Sequence, residues 1–511
     1  MPEHLLNKWK TQIKPEWKIA FFTAFIIGLL THIFVFTNSL PNHDGIVNTY
    51  SPQEKFSLGR FFLSPFAGIS SYFDIPVVIG VLAIFYLSLI AVILTEFFEL
   101  RKALSIFLVS GLVVTFPTIS ATFSYMFTAD GYMAGSLVTA LALLVTKKYK
   151  YGFIPGAVLF YMGVGVYQAN LPFLLTLATI FLLMEALTKN VSVKGFLITT
   201  GRFMATAVIG MGLYGITFYL YNRLFAGEIS NYQGLNNIGE SSQSLSLTVQ
   251  ELIDSVNTFF FRGFITDMPV NLFEILNLFV VLLIIAGAAL TFYQNKVYRS
   301  LPFSILTVLM LLSLPFSAYC LYFVSADVIY HMLMVLSVLS FYLLPILMYD
   351  KFSFAAFTNK SFSWITVIVS LLVVFNFAII ANISYYNLHL KYESTVFALN
   401  RVIDRIEQVN GLEEADKLAI FGRNTLESNL TDTIIPQSIP SMTGSSGNYL
   451  LPLPYHYFYM MQNQFGVNYK TASQDEYALI AASDTFESME PWPAESSVQL
   501  FGDIVVIKFS E

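Results

Sequence analysis

The chain has 511 residues, of which 56% are hydrophobic and only 12% charged, and its formal net charge is −6. A soluble globular protein carries roughly 25% charged residues, so this composition excludes an ordinary soluble domain. The single cysteine, Cys320, also excludes an intrachain disulfide and any cysteine-based metal cluster.

The first apolar run is centred near residue 28. It is about 20 residues long and lacks a small-residue cleavage site, so it reads as a retained first helix and not as a removed signal peptide. Further apolar runs are centred near residues 85, 110, 137, 160, 179, 212, 282, 312, 338 and 372. They predict an all-α polytopic membrane bundle of about eleven transmembrane helices, with the runs near 110 and 160 short or polar-flanked. The 49 phenylalanines suit lipid-facing and bundle-packing surfaces.

Lysine and arginine are retained on the cytoplasmic side of membranes. Lys8, Lys10, Lys14 and Lys18 precede the first run, and alternate loops then carry Arg101 and Lys102, Lys147, Lys148 and Lys150, Lys189, Lys194 and Arg202, Lys296 and Arg299, and Lys351 and Lys360. The intervening loops hold only Lys55, Arg60, Arg223 and Arg262. This alternation predicts a cytoplasmic N-terminus and an extracytoplasmic C-terminus.

Residues 1–383 are therefore expected to form the transmembrane domain, with two long outer loops at 39–74 and 225–270. In the second loop, Leu247, Val249, Leu252, Ile253, Val256, Phe259 and Phe260 recur at helical spacing. They read either as an amphipathic helix on the outer leaflet or as a plain connecting helix. After residue 384 acidic residues outnumber basic ones, 16 to 7. A helix from Tyr392 to Val409 and strands at Leu418–Phe421, Tyr477–Ile480 and Asp503–Lys508 predict a small extracytoplasmic α/β domain over 384–511. The loops between 430 and 455 are rich in Ser, Pro and Gly. There is no glycine-rich phosphate loop, internal repeat or nucleic-acid signature.

The first outer loop reads Asn42-His43-Asp44-Gly45, then Ser57-Leu58-Gly59-Arg60-Phe61. Asp44, just outside the first helix, could accept a proton from an attacking hydroxyl. Arg60 offers a planar fork for a phosphate, and His43 could tune Asp44 or join it in holding a divalent cation. The same four residues also read as a solvated turn, because Asp-Gly is a strong turn signal. Asp130 enters the fourth helix, and Gln168 lies between the fifth and sixth. Asp327 and His331, four apart, are expected to share one helix face at the outer start of the tenth. Such residues at membrane depth are functional candidates, although each also reads as a cap or interhelical bond. Glu96, Glu99 and Glu185 fall near inner helix ends and read as solvated or paired. A transporter would bury ionisable groups near the midplane within broken helices. The outer clustering seen here favours an outward-facing active site fed laterally from the membrane.

Several of these residues, taken in order, carry a resemblance. They are Asp44, Gly59-Arg60, Phe116-Pro117 with Phe123-Ser-Tyr125-Met126, Gly165-Val-Tyr-Gln168, and Asn382 with Ala398 and Arg401 on a juxtamembrane helix. The chain resembles the bacterial glucosyltransferase II family of polytopic membrane proteins, whose known members decorate O-antigen. That family is similar to the C-type (GT-C) glycosyltransferases. The resemblance implies a membrane glycosyltransferase of the bacterial inner membrane. It would move a hexosyl, in this family glucosyl, residue from a polyprenyl-phosphate-linked sugar donor to a cell-surface glycan acceptor. Asp44 takes the place of the first-loop catalytic acid, and His43, Arg60, Tyr125, Asp130, Gln168, Arg262, Asp327 and His331 form the substrate-binding set. Arg223 is a further phosphate candidate. Tyr50, Tyr72 and Tyr232 could stack on sugars or serve as interfacial anchors. A divalent cation, Mg or Mn, stays open as a cofactor, with Asp44 and His43 as its ligands. A lipid-linked glycan flippase and a non-catalytic scaffold for envelope assembly are the competing readings.

Overall fold

The computed structural model of the chain describes residues 2–4, 12–189, 192–225, 244–261, 272–325, 327–351, 357–423, 442–445 and 450–510. Backbone contacts divide it into two units: Met1–Thr37 with Ser51–Asn382, and Asn38–Tyr50 with Ile383–Glu511. The boundary at 382/383 falls within one helix, Phe357–Glu407.

Among the described residues nine helices are long and apolar enough to cross a bilayer: Pro15–Thr37, Pro76–Phe97, Ala103–Phe123, Met126–Lys148, Asn170–Thr188, Val193–Leu224, Ile275–Gln294, Leu301–Ala318 and Thr358–Glu407. The chain is thus a polytopic helical membrane protein. Its first helix shows how the bundle is made. Ala20, Ala24, Gly28, Thr31 and Val35 face inward, while Phe22, Ile26, Leu30 and Ile33 are exposed. Both sets recur every three or four residues, the spacing of one helix face. Lipid is as apolar as leucine, so small residues that permit close approach take the inner face. A Cβ on Gly28 would lie 2.9 Å from Ile84 and 3.5 Å from Val114, so three helices meet there. His32 Nε2 hydrogen-bonds the Val114 carbonyl at 2.8 Å in the same seam. Proline sets the helix starts. Pro76 and Pro117 occupy first-turn positions, where the missing N–H costs nothing. Pro117 also holds Phe116 extended, at ψ 137, which separates Ala103–Thr115 from Pro117–Phe123.

Two of the eleven expected spans are shorter. Phe153–Val166 is a 14-residue apolar helix. The run near 338 begins as 3-10 turns at Met332–Met334 and Leu336–Val338 and continues as the 13-residue helix Leu339–Lys351. Asp327 and His331 therefore do not share a helix face. Asp327 lies in an exposed turn, and His331 is extended, at φ −136 and ψ 169. Side chains replace the helical ladder here. Thr118 Oγ1 donates to the Met332 carbonyl at 2.8 Å, Ser337 Oγ to the Ala318 carbonyl at 2.9 Å, and the Leu321 amide to Tyr330 Oη at 3.1 Å. Irregular backbone is tolerated at membrane depth where protein buries it. Hydropathy reports that burial without distinguishing it from a helix. In the second long loop Leu245–Val256 is a helix, with Ser244 capping Leu247.

The second unit contains a four-stranded sheet in the order β2-β1-β4-β3, where β1 is Lys417–Phe421, β2 Lys470–Thr471, β3 Val498–Phe501 and β4 Ile504–Lys508. β1 is parallel to β2 and β4, whereas β3 and β4 form an antiparallel hairpin. The hairpin turns at Gly502, at φ 64, a conformation glycine adopts without penalty. The stretch expected as a strand at Tyr477–Ile480 is instead part of the helix Gln474–Ala481. The reason is a capping box. Ser473 accepts from the Glu476 amide, and the Glu476 carboxylate accepts from the Ser473 amide at 2.7 Å. Tyr477 and Ile480, three apart, then pack on the sheet with Ala419, Val506 and Met489.

Candidate active site

In the first unit, the loop after Ser51 folds onto the helix Met126–Lys148. The 3-10 turn Phe56–Leu58 ends at Gly59, which has φ 68. A Cβ at Gly59 would lie 2.3 Å from the Tyr214 hydroxyl and 3.0 Å from Gln168 Nε2, so both conformation and space require glycine. Gln168 Nε2 donates to the Leu58 carbonyl at 2.8 Å and to Tyr214 Oη at 3.0 Å. The Phe62 amide donates to the Gly165 carbonyl at 2.9 Å. The Gly59-Arg60 step and the Gly165–Gln168 segment, about a hundred residues apart, are therefore one piece of structure.

That anchoring aims Arg60. Its Nη1 donates to Tyr132 Oη at 2.8 Å, and its guanidinium lies 5.0 Å from the Tyr167 ring centre. Tyr132 and Tyr167 stack at 4.6 Å with rings 7° apart, which fixes the plane beneath the cation. Asp130 precedes Tyr132 by two residues and is fully buried. Its Oδ1 accepts from the Gly131 amide at 2.8 Å, while Oδ2 has no hydrogen-bond partner among the described residues. The neighbouring Ser70 hydroxyl is committed to the Ala67 carbonyl at 2.9 Å. His331 Nδ1 is likewise buried without a partner. The Arg60 guanidinium lies close enough to act on His331 electrostatically. Tyr125 lies at the start of the helix Met126–Lys148, half-buried, with its ring 6.4 Å from Phe127. Arg262 lies outside the described residues.

Two residues not singled out in the sequence lie in the same loop. Asp74 has a buried Oδ1 without a hydrogen bond, and burial pushes its carboxyl up to about 7. Its signal was a lone carboxylate within Tyr72-Phe73-Asp74-Ile75-Pro76, directly before a span. Gln53 is buried with neither side-chain amide atom hydrogen-bonded among the described residues, and nothing in the sequence marks it. Native structures leave few buried polar atoms unsatisfied. Asp74 and Gln53 in this loop and Asp130 in the helix beneath it are among those atoms.

Asp44 and His43 belong to the second unit. They open the short helix His43–Val47, in which Asn42 Oδ1 caps the Gly45 amide at 2.8 Å. The motif is a capped helical turn whose Asp44 carboxylate is 46% exposed. His43 Nε2 lies 3.7 Å from Asp44 Oδ2, and its ring lies 6.2 Å from that of His456. His456 is buried, its Nδ1 is against the Leu453 backbone, and its Nε2 has no partner among the described residues. Burial lowers its pKa. Asn463 Nδ2 donates to the Ile46 carbonyl at 3.3 Å and Thr49 Oγ1 at 3.2 Å, fastening the Asp44 helix. The sequence signal for His456 was a histidine inside the aromatic run Tyr455–Tyr459. Among the described residues no group of three or more His, Cys, Asp or Glu is placed to hold a metal ion, and no step below is routed through one.

The fold defines a polytopic helical membrane protein with buried polar groups in its first long loop and in the helix beneath it. A family model described as "Glucosyl transferase GtrII" matches residues 33–377, and the chain belongs to that glucosyltransferase family. No curated protein and no solved structure matches the chain.

Proposed function

We propose that this chain transfers a glucosyl residue from a polyprenyl-phosphate donor to a cell-surface glycan, acting at the outer face of a bacterial inner membrane with its N-terminus cytoplasmic. The observation that supports this reading is the Arg60 cluster. A guanidinium held over stacked Tyr132 and Tyr167 suits a phosphate ester, and the open acceptor on Asp130 suits a sugar hydroxyl. Family membership supplies the glucosyl group, and the basic loops support the orientation.

The chemistry follows from the bonds that change. The acceptor hydroxyl oxygen attacks the anomeric carbon, and the bond from that carbon to the phosphate oxygen breaks. Its electron pair leaves with the polyprenyl phosphate. The hydroxyl proton passes to Asp44, a half-exposed carboxylate on a fixed helical turn. Arg60 stabilises charge on the departing phosphate. His331, whose buried Nδ1 has no partner among the described residues, offers one hydrogen bond to the substrate.

The test is transfer by the purified protein from defined polyprenyl-phosphate sugars to an acceptor glycan. Asp44→Asn keeps size and hydrogen bonding but removes the basic oxygen. It is expected to insert normally and lose about 10²–10⁴-fold in rate, with donor binding retained. Transfer near the parent rate would move the base role to Asp130.

A further inference from the structure

At the basic ends of the membrane helices, a cavity of about 450 Å³ is lined by Lys14, Trp17, Glu96, Glu99, Arg101 and Lys148, among others. Its walls come from the start of Pro15–Thr37, the turn after Pro76–Phe97 and the end of Met126–Lys148. Two of its carboxylates are already answered. Glu96 accepts Lys14 Nζ at 2.6 and 2.8 Å and Trp17 Nε1 at 3.0 Å, and Glu99 accepts Lys147 Nζ at 2.8 Å. Lys148 forms a longer ion pair with Glu96, at 3.6 Å, which leaves its ammonium donors open to a second anion. Arg101 is exposed, and its side chain enters none of these bridges. With Glu16 as the third carboxylate and Lys147 as the fourth cation, the lining keeps an excess of positive charge.

Depth and chemistry point the same way. The Trp17 indole is tied to Glu96 at the first turn of a membrane helix, the level at which tryptophans anchor in the headgroup region. The volume lies within the range of ligand pockets, and basic pockets between membrane helices hold lipid head groups. The site is separate from the Arg60 cluster. Tyr132 and Lys148 lie toward opposite ends of one helix, about 24 Å apart along its axis.

We propose that this cavity binds the phosphate headgroup of an anionic phospholipid, held by Arg101 and Lys148. The test uses the purified full chain in detergent, titrated separately with phosphatidylglycerol, phosphatidylcholine and inorganic phosphate. Bound lipid is read by native mass spectrometry and protection by thermal unfolding. Phosphatidylglycerol is expected to bind and raise Tm, and phosphatidylcholine to do neither. Arg101→Gln and Lys148→Gln should each weaken phosphatidylglycerol about fivefold, whereas Lys360→Gln, a basic residue outside the cavity, should leave it unchanged. Both cavity residues are exposed, so each single variant is expected to fold. Protection by inorganic phosphate without phosphatidylglycerol would overturn the lipid assignment. Equal weakening by Lys360→Gln would overturn the site.

Discussion

Around Lys14 and Asp350, Glu96 and Glu99 are met by lysines, and the Asp350 carboxylate accepts the Arg101 and Lys102 amides at 3.2 and 2.9 Å. In the loop that carries Arg60, in the helix beneath it and at His331, in contrast, Asp130 Oδ2, His331 Nδ1, Asp74 Oδ1 and the Gln53 amide atoms are buried with no hydrogen bond among the described residues. Both regions lie in one unit and use the same residue types. Burying an unsatisfied polar atom costs about 1–3 kcal/mol, a cost that the carboxylates at the basic end avoid and that the open atoms near Arg60 carry until something binds them. On the proposed function, the difference separates polar groups that hold helices together from polar groups left for substrate.

The largest test of that contrast is at Arg60. Arg60→Ala is expected to cut transfer by about 10²–10³-fold, the size of losing one charge-stabilising donor. Arg60→Lys should restore it only in part, because the fork is lost. Unchanged donor kinetics in both variants would remove Arg60 from the site. At the satisfied end the expectation reverses. Asp350→Ala leaves two helix-start amides without their acceptor and should cost about 1.5–3 kcal/mol of stability, read as a lower Tm, with transfer by the surviving folded protein unchanged. A rate loss exceeding the loss of folded protein would blur the distinction.

A further test sharpens it through pH. The Asp74 carboxyl is raised to about 7 in the folded chain from an ordinary 3.8. Between those values the folded state holds the proton more tightly than the unfolded state does, so stability falls as pH rises through that window. Asp74→Asn should flatten this part of the Tm–pH curve. A curve of unchanged slope would mean that Asp74 is not held in an unfavourable setting.

The bundle was legible because its signal is collective. Twenty-residue apolar runs and alternating lysines survive local irregularity, so the long helices followed from hydropathy. The site was legible in pieces. Gly59, Arg60 and Gln168 stood out by residue type, but nothing in the sequence showed that Gln168 holds the Leu58 carbonyl. Asp327 and His331 misled because a spacing of four implies one face only on a helix. Tyr477–Ile480 misled because an apolar run of four fits a strand until the Ser473–Glu476 box is recognised. Asp74 and His456 depend on burial, which a single charged or aromatic-flanked position does not announce.

Asn38–Tyr50, the stretch carrying Asp44, belongs to the unit otherwise made of Ile383–Glu511. A ribosome adding about 5–20 residues per second leaves this stretch waiting for roughly 15–70 s while the intervening 330 or so residues are made. During synthesis the Asp44 helix has no Asn463 to fasten it, and a chain stopped after its last membrane helix never acquires one. The proposed base is thus assembled last, although it is among the first residues translated.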